Sequence, residues 1–166
     1  MRHKISLHEE SEKLTAALLL AVSSLFVVSC SKDDDAPAPL TPSQTLASTS
    51  WETTNAKNNK GENVALTDAN VSNFVGFAYF KADGTFTMYN LDNSPKMHGD
   101  WSVSADGKTR TIVAKNDAGA VLFTRVVDIT VLTRQEFTYR IYPNANDKSI
   151  YFDIIHTPTT HAEPGK

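Results

Sequence analysis

The chain has 166 residues, 16 of them basic and 19 acidic, for a formal net charge of -3, and 40% are hydrophobic. That balance offers no basic face of the kind a nucleic-acid partner requires, and no Lys/Arg cluster interrupts it. A single cysteine leaves no internal disulfide to form, so a folded domain must be held by its core, which a chain of roughly 100 residues or more can do.

The first informative stretch is Leu14 to Val28, which carries no charge and follows Arg2, Lys4 and Lys13. A basic start before an apolar run of this length reads as the h-region of a secretory signal. It is short of the roughly 18 to 20 residues that a bilayer-spanning helix needs. The run ends in Val27-Val28-Ser29-Cys30, with the cysteine directly after a small residue. This resembles the lipobox of bacterial lipoproteins. The resemblance implies cleavage after Ser29, a diacylglycerol on the Cys30 thiol and acylation of the new amino terminus. The alternatives are an ordinary secretory signal with an incidental Cys and an uncleaved amino-terminal anchor. Each buried methylene contributes roughly 0.8 kcal/mol, so one acyl chain holds marginally and several hold durably. Ser31-Lys32-Asp33-Asp34-Asp35 then reads as a solvated acidic spacer. It also resembles the Lys-plus-acidic export signal of Bacteroidetes lipoproteins, which implies an outer-membrane location at the cell surface, with a periplasm-facing site as the alternative.

The expected organisation is a signal peptide over 1–29, a lipidated Cys and acidic, Pro-rich tether over 30–44, and a folded domain over 45–163. Pro37, Pro39 and Pro42 favour an extended spacer. Thr45 to Thr54 carries Trp51 among β-formers and reads as a first strand. Asn55 to Asn63 reads as a loop, and Val64 to Asn73 stays open between a helical turn and irregular structure. Phe74 to Lys81 is apolar on both faces, and with the Asp83-Gly84 turn and Thr85 to Asn90 it forms an expected hairpin. Met97 to Ser104 shows the clearest period of two: Met97, Gly99, Trp101 and Val103 share one face, and His98, Asp100, Ser102 and Ser104 the other.

Asp106-Gly107 and Asn116 to Gly119 are turns around a strand over Thr109 to Lys115. The stretch Ala120 to Thr133 is too long for one flat strand and is expected to bend or carry a bulge near Arg125 to Asp128. Phe137 to Tyr142 and Ile150 to Thr157 complete the set, and the tail from Pro158 is expected to be loose. About eight strands with short turns and almost no helix describe an all-β antiparallel barrel or sandwich, with closure favoured because it removes exposed edges.

Trp51, the run Phe80-Lys81-Ala82-Asp83-Gly84-Thr85-Phe86 and Gly99-Asp100-Trp101 resemble the pattern of lipocalin-like domains on Bacteroidetes lipoproteins. Gly76-Phe77-Ala78-Tyr79-Phe80 and Asp153-Ile154-Ile155-His156-Thr157-Pro158 resemble the domain-of-unknown-function family 4822, over roughly Thr45 to Glu163. The resemblance implies an up-and-down lipocalin-like barrel and brings no catalytic residues. One departure stands out: position 49, two before the first-strand Trp, is Thr where true lipocalins carry Gly, so the relation to ligand carriers is one of architecture.

No G-x-S-x-G motif and no Gly-rich phosphate loop is present, so neither a nucleophilic enzyme nor a nucleotide site is indicated. His98 and Asp100 share a strand face, and His156, His161 and Glu163 lie near the carboxyl terminus. Pro158 breaks the second group, so it lacks the spacing of a zinc motif, and surface or rim histidines without metal or cofactor are the expectation. Phe74, Phe80, Phe86, Trp101, Tyr139 and Phe152 are the candidate ligand contacts in the barrel interior. An interior filled by these side chains and one holding a small ligand want the same residues.

Three functions therefore stand side by side. The first is a non-catalytic module binding a small apolar or amphipathic molecule in its barrel. The second is an accessory subunit of an envelope protein complex with a solid core, and the third is an enzyme using His98, Asp100 and His156. The leader has its own test. Globomycin is expected to block processing, and Cys30→Ala is expected to release the protein from membranes; unchanged processing and attachment would exclude lipidation.

Overall fold

The computed structural model describes residues 38–165. The leader, Cys30 and the first part of the tether lie outside the described residues. Short Asx turns set many of the strand boundaries, because an aspartate oxygen that accepts the N–H two residues on fixes a tight reversal. Asp83 accepts from Thr85, Asp92 from Ser94 and Asp147 from Ser149 in this way. Gly84, at φ +86°, supplies the left-handed residue of the first of these turns.

Among the described residues, eight strands run in up-and-down order: β1 Ser50–Asn58, β2 Phe77–Phe80, β3 Thr85–Tyr89, β4 Pro95–Val103, β5 Thr109–Lys115, β6 Val121–Leu132, β7 Phe137–Ile141 and β8 Phe152–Thr159. Each pairs antiparallel with its sequence neighbour, and β8 returns to pair with β1 from Ser50↔Thr159 to Asn58↔Phe152, which closes the barrel. Closure leaves no edge strand and meets the expected fold class.

Four local expectations are corrected. The first strand starts at Ser50, because Pro42–Leu46 forms the short helix α1. The Thr41 hydroxyl accepts from the Gln44 N–H and the Gln44 side chain accepts from the Thr41 N–H, a capping box with Pro42 at the first helical position. Leu46 of α1 is fully buried, and its carbonyl accepts a 2.8 Å bond from the Trp51 indole. The strand expected over 74–81 is shortened to Phe77–Phe80, and Ser72–Phe74 forms a 3-10 turn. At Gly76 the backbone passes so close to Tyr89 that a Cβ would overlap the Tyr89 carbonyl oxygen. The irregularities of β6 lie at its two ends, opposite Ala114/Lys115 and between Ile129 and Val131, and not near 125–128. The tail is tied down: His161 stacks on Phe77 at 3.9 Å and meets the Tyr79 hydroxyl at 2.6 Å, while Glu163 accepts from Lys81 and Thr87.

The interior is packed with rings. Trp51 meets Phe137 edge-on at 5.9 Å, and Phe80 meets Trp101 at 5.2 Å. Gly99 of β4 lies opposite Phe86 and Ala114, and a side chain there would overlap the Val113 carbonyl. Such edge-on ring pairs add roughly 0.5 to 1.5 kcal/mol beyond area burial.

His156 is inside this packing, not on the surface or rim where the sequence placed it, and is only 4% exposed. Its ring stacks against Tyr139 at 5.2 Å. Its Nδ1 lies 3.1 Å from the Phe137 carbonyl, which can only accept, so Nδ1 carries the proton. Burial first, and then the charges of Arg110 and Lys96, push its pKa down to about 3, and the bond to Phe137 opposes the shift only in part. Protons therefore bind the unfolded chain more readily, and this contribution is full above about pH 6.5 and is lost as the pH falls toward 3. It amounts to about 5 kcal/mol at most, taken at about 1.4 kcal/mol per pH unit. Denaturant melts are expected to show stability falling across that window, and His156→Gln is expected to flatten the fall; an unchanged slope would place the titration elsewhere.

A candidate ligand site at the barrel mouth

The connection between β1 and β2 crosses one end of the barrel, and two side chains from the barrel wall hold it there. The Thr53 hydroxyl donates to the Phe74 carbonyl at 3.1 Å and lies 3.3 Å from the Gly76 N–H, and Lys96 Nζ donates to the Val75 carbonyl at 2.6 Å. Beneath this strap a cleft of about 30 Å³ leads inward, bounded by the strap, by Lys96 and Arg125 at its rim, and by Arg110, Tyr139 and His156 at its floor. At about 10 to 15 Å³ for each water-sized centre, it holds two or three such groups.

Arg110 is the unusual member. On β5 it alternates with Ile112 and Ala114, the face turned into the barrel, and it is 2% exposed. Its guanidinium lies 4.5 Å from the ring centre of Tyr139, 5.4 Å from Phe137 and 5.6 Å from Phe80. The Tyr139 hydroxyl is its hydrogen-bonding neighbour, yet Nε is buried with no partner. Burial lowers its pKa and Tyr139 opposes that shift; burial likewise raises the pKa of Tyr139, and Arg110 pulls it back. An arginine starts so high that it stays charged.

No Asp or Glu lines the cleft. Three aromatic faces can return about 2 kcal/mol or more to a desolvated cation, against a desolvation penalty of several kcal/mol for a buried ion. Lys96, half-buried at the rim, has its pKa lowered first by burial and then by Arg125. The cleft is thus a small space whose charged side chains are all cationic.

A wider hollow of about 270 Å³ adjoins it, with Phe74 and Arg125 as walls common to both. The Arg125 guanidinium sits 5.1 Å from the Phe74 ring centre. Val127, Ile141 and Tyr142 supply apolar surface to this hollow, and Asp128, Arg140 and Lys148 supply charge.

The six aromatic candidates separate into two groups. Phe74 and Tyr139 line the cleft. Phe80, Phe86 and Trp101 belong to the buried core, and Phe152 packs against it from a partly buried position. The three residues offered for acid-base work are not brought together. His156 is inside, whereas the His98 side chain is 44% exposed with Asp117 at 3.9 Å, and Asp100 pairs with Lys115. Among the described residues no three of His, Cys, Asp and Glu gather in a metal-binding arrangement.

Arg110, Lys96 and Arg125 were not singled out by the sequence reading. A signal for the first was present: in Arg110-Thr111-Ile112-Val113-Ala114, the period of two puts Arg110 on the face of Ile112 and Ala114.

Comparison with curated proteins gives no match. Among solved structures, the chain is similar to a lipocalin-like protein from Bacteroides uniformis ATCC 8492, with 14% sequence identity and a TM-score of 0.47, over 69% of this chain and 99% of that one. A protein family described as a domain of unknown function, DUF4822, matches residues 43–165. With three quarters of its length matched, and with the expected β architecture in place, the chain belongs to the DUF4822 family.

Proposed function

We propose that the protein is a non-catalytic cell-envelope lipoprotein, anchored in the outer membrane through Cys30, whose barrel mouth takes up a small apolar or amphipathic molecule. The anchor rests on the leader and lipobox pattern, and the surface location on the acidic run after Cys30. The observation that carries the binding reading is the pair of adjoining spaces at the mouth, one narrow and cationic and one wider with mixed apolar and charged walls. The core beneath them is packed with rings, so the ligand sits at the mouth and the filled barrel serves as its rigid platform.

A second reading, an accessory subunit docking to another envelope protein, has two observations in its favour, and the first is the packed interior. Val121, Leu122 and Val126 of β6 are 60%, 62% and 60% exposed, and adjacent apolar side chains on a surface often mark contact sites.

The two separate in native mass spectrometry of the full-length protein extracted from its own envelope in mild detergent. A retained mass of a few hundred daltons, removed by denaturation, is the result expected of a carrier. Repeated absence of any such mass would contradict the ligand reading.

A further inference from the structure

We propose that the cleft floored by Arg110 is the receptor for a carboxylate, and that the ligand of the mouth is an amphipathic carboxylic acid whose apolar body lies in the adjoining hollow. This rests on the binding reading above and specifies its chemistry.

Four observations converge on it. Arg110 lines the cleft and is buried with an unpartnered Nε, so a strong donor at its floor lacks an acceptor among the described residues. Lys96 and Arg125 bring two further cations to the rim, and no acidic side chain lines the cleft to neutralise any of the three. The cleft is small, about 30 Å³, and a planar carboxylate with three heavy atoms asks less room of it than a tetrahedral phosphate with five. The broader hollow that adjoins it across Phe74 and Arg125 offers Val127, Ile141 and Tyr142 to an alkyl or ring body, between the charged Asp128, Arg140 and Lys148.

A planar guanidinium presents paired N–H donors that match the two oxygens of a carboxylate. The aromatic rings around Arg110 stabilise the cation through their faces, and although the Tyr139 hydroxyl engages the guanidinium, the in-plane Nε–H is left without an acceptor. The bound anion would therefore supply the compensating charge that the protein itself does not place there. A neutral molecule of the same shape would gain a single hydrogen bond from Arg110 at most and none of the charge attraction, and a cation would be repelled.

The full-length lipoprotein in nanodiscs of zwitterionic lipid tests this, with hexanoate, 1-hexanol, acetate and inorganic phosphate as probes, titrated calorimetrically against empty nanodiscs. Hexanoate is expected to bind about tenfold or more tightly than 1-hexanol, as hydrogen bonds to a charged group allow. Acetate, lacking a body, is expected to bind more weakly than hexanoate, and phosphate more weakly still. Arg110→Met is expected to abolish the preference for hexanoate over 1-hexanol while leaving 1-hexanol within about twofold. It is also expected to keep or raise the melting temperature, because an apolar residue of similar volume removes an uncompensated buried charge. Should Arg110→Met fail to fold, Lys96→Met at the rim carries the test, with hexanoate expected to lose about threefold or more relative to 1-hexanol, and an equal loss of both counting against the carboxylate assignment.

Equal binding of hexanoate and 1-hexanol, unaffected by Arg110→Met, would overturn the carboxylate assignment and leave a neutral-ligand carrier standing. Phosphate binding as tightly as hexanoate would overturn the choice of anion, and acetate binding as tightly would overturn the placing of the body. Binding of none of the four would overturn both this inference and the reading beneath it.

Discussion

A positive charge enclosed by aromatic rings is the constraint around which this barrel is arranged. Closing an eight-stranded sheet on itself fixes which side chains face inward, and at position 110 the inward residue is an arginine. Removed from water, that cation needs compensation, and the rings of Tyr139, Phe137 and Phe80 give it only part. Its neighbour His156 is held neutral, by burial first and by the charge of Arg110 second. The other buried polar side chains, Thr53, Thr138 and His156, have hydrogen-bond partners, so among the described residues the unsatisfied buried donor is that of Arg110.

The division of labour within the fold follows from this. Below the cleft, Trp51, Phe86, Phe137 and Ile154 are almost wholly excluded from water, and the packing is that of a solid core. At the mouth, a strap held by Thr53 and Lys96 forms one wall of the cleft, and the Lys96 that binds the strap also contributes to the positive rim. Positioning and charge thus depend on the same side chains. The carboxyl-terminal segment works on the outside, where His161 and Glu163 cover β2 and β3 and brace the strands from which the mouth is built. The barrel architecture alone would not have assigned any of these roles, since a fold of this type serves carriers and packed modules alike.

The β architecture was legible because its signals are local. The alternation through Met97, Gly99, Trp101 and Val103 and the Asp-Gly turns each fix a strand or a reversal without reference to the rest of the chain. Where the reading of local signals failed, a competing one had been passed over. The Thr41/Gln44 capping box outweighs the β-formers that follow it, and Gly76 marks a close backbone approach that ends the strand expected to begin at Phe74. The site was less legible because its members come from distant segments and look ordinary in isolation. Arginine in a strand normally faces water, so Arg110 stood out only through its register with Ile112. His156 looked like a rim residue because nothing nearby in sequence reveals that Tyr139 and Arg110 lie against it.

The central claim is that Arg110 remains a buried cation awaiting an anion, and its own side chain can report this directly. In a 1H–15N spectrum of the Arg Nε–H groups at neutral pH, the account predicts one slowly exchanging, solvent-protected resonance that Arg110→Met removes and that shifts when hexanoate, but not 1-hexanol, is added. A spectrum in which Arg110 exchanges as fast as exposed arginines, or stays fixed when hexanoate is added, would contradict it.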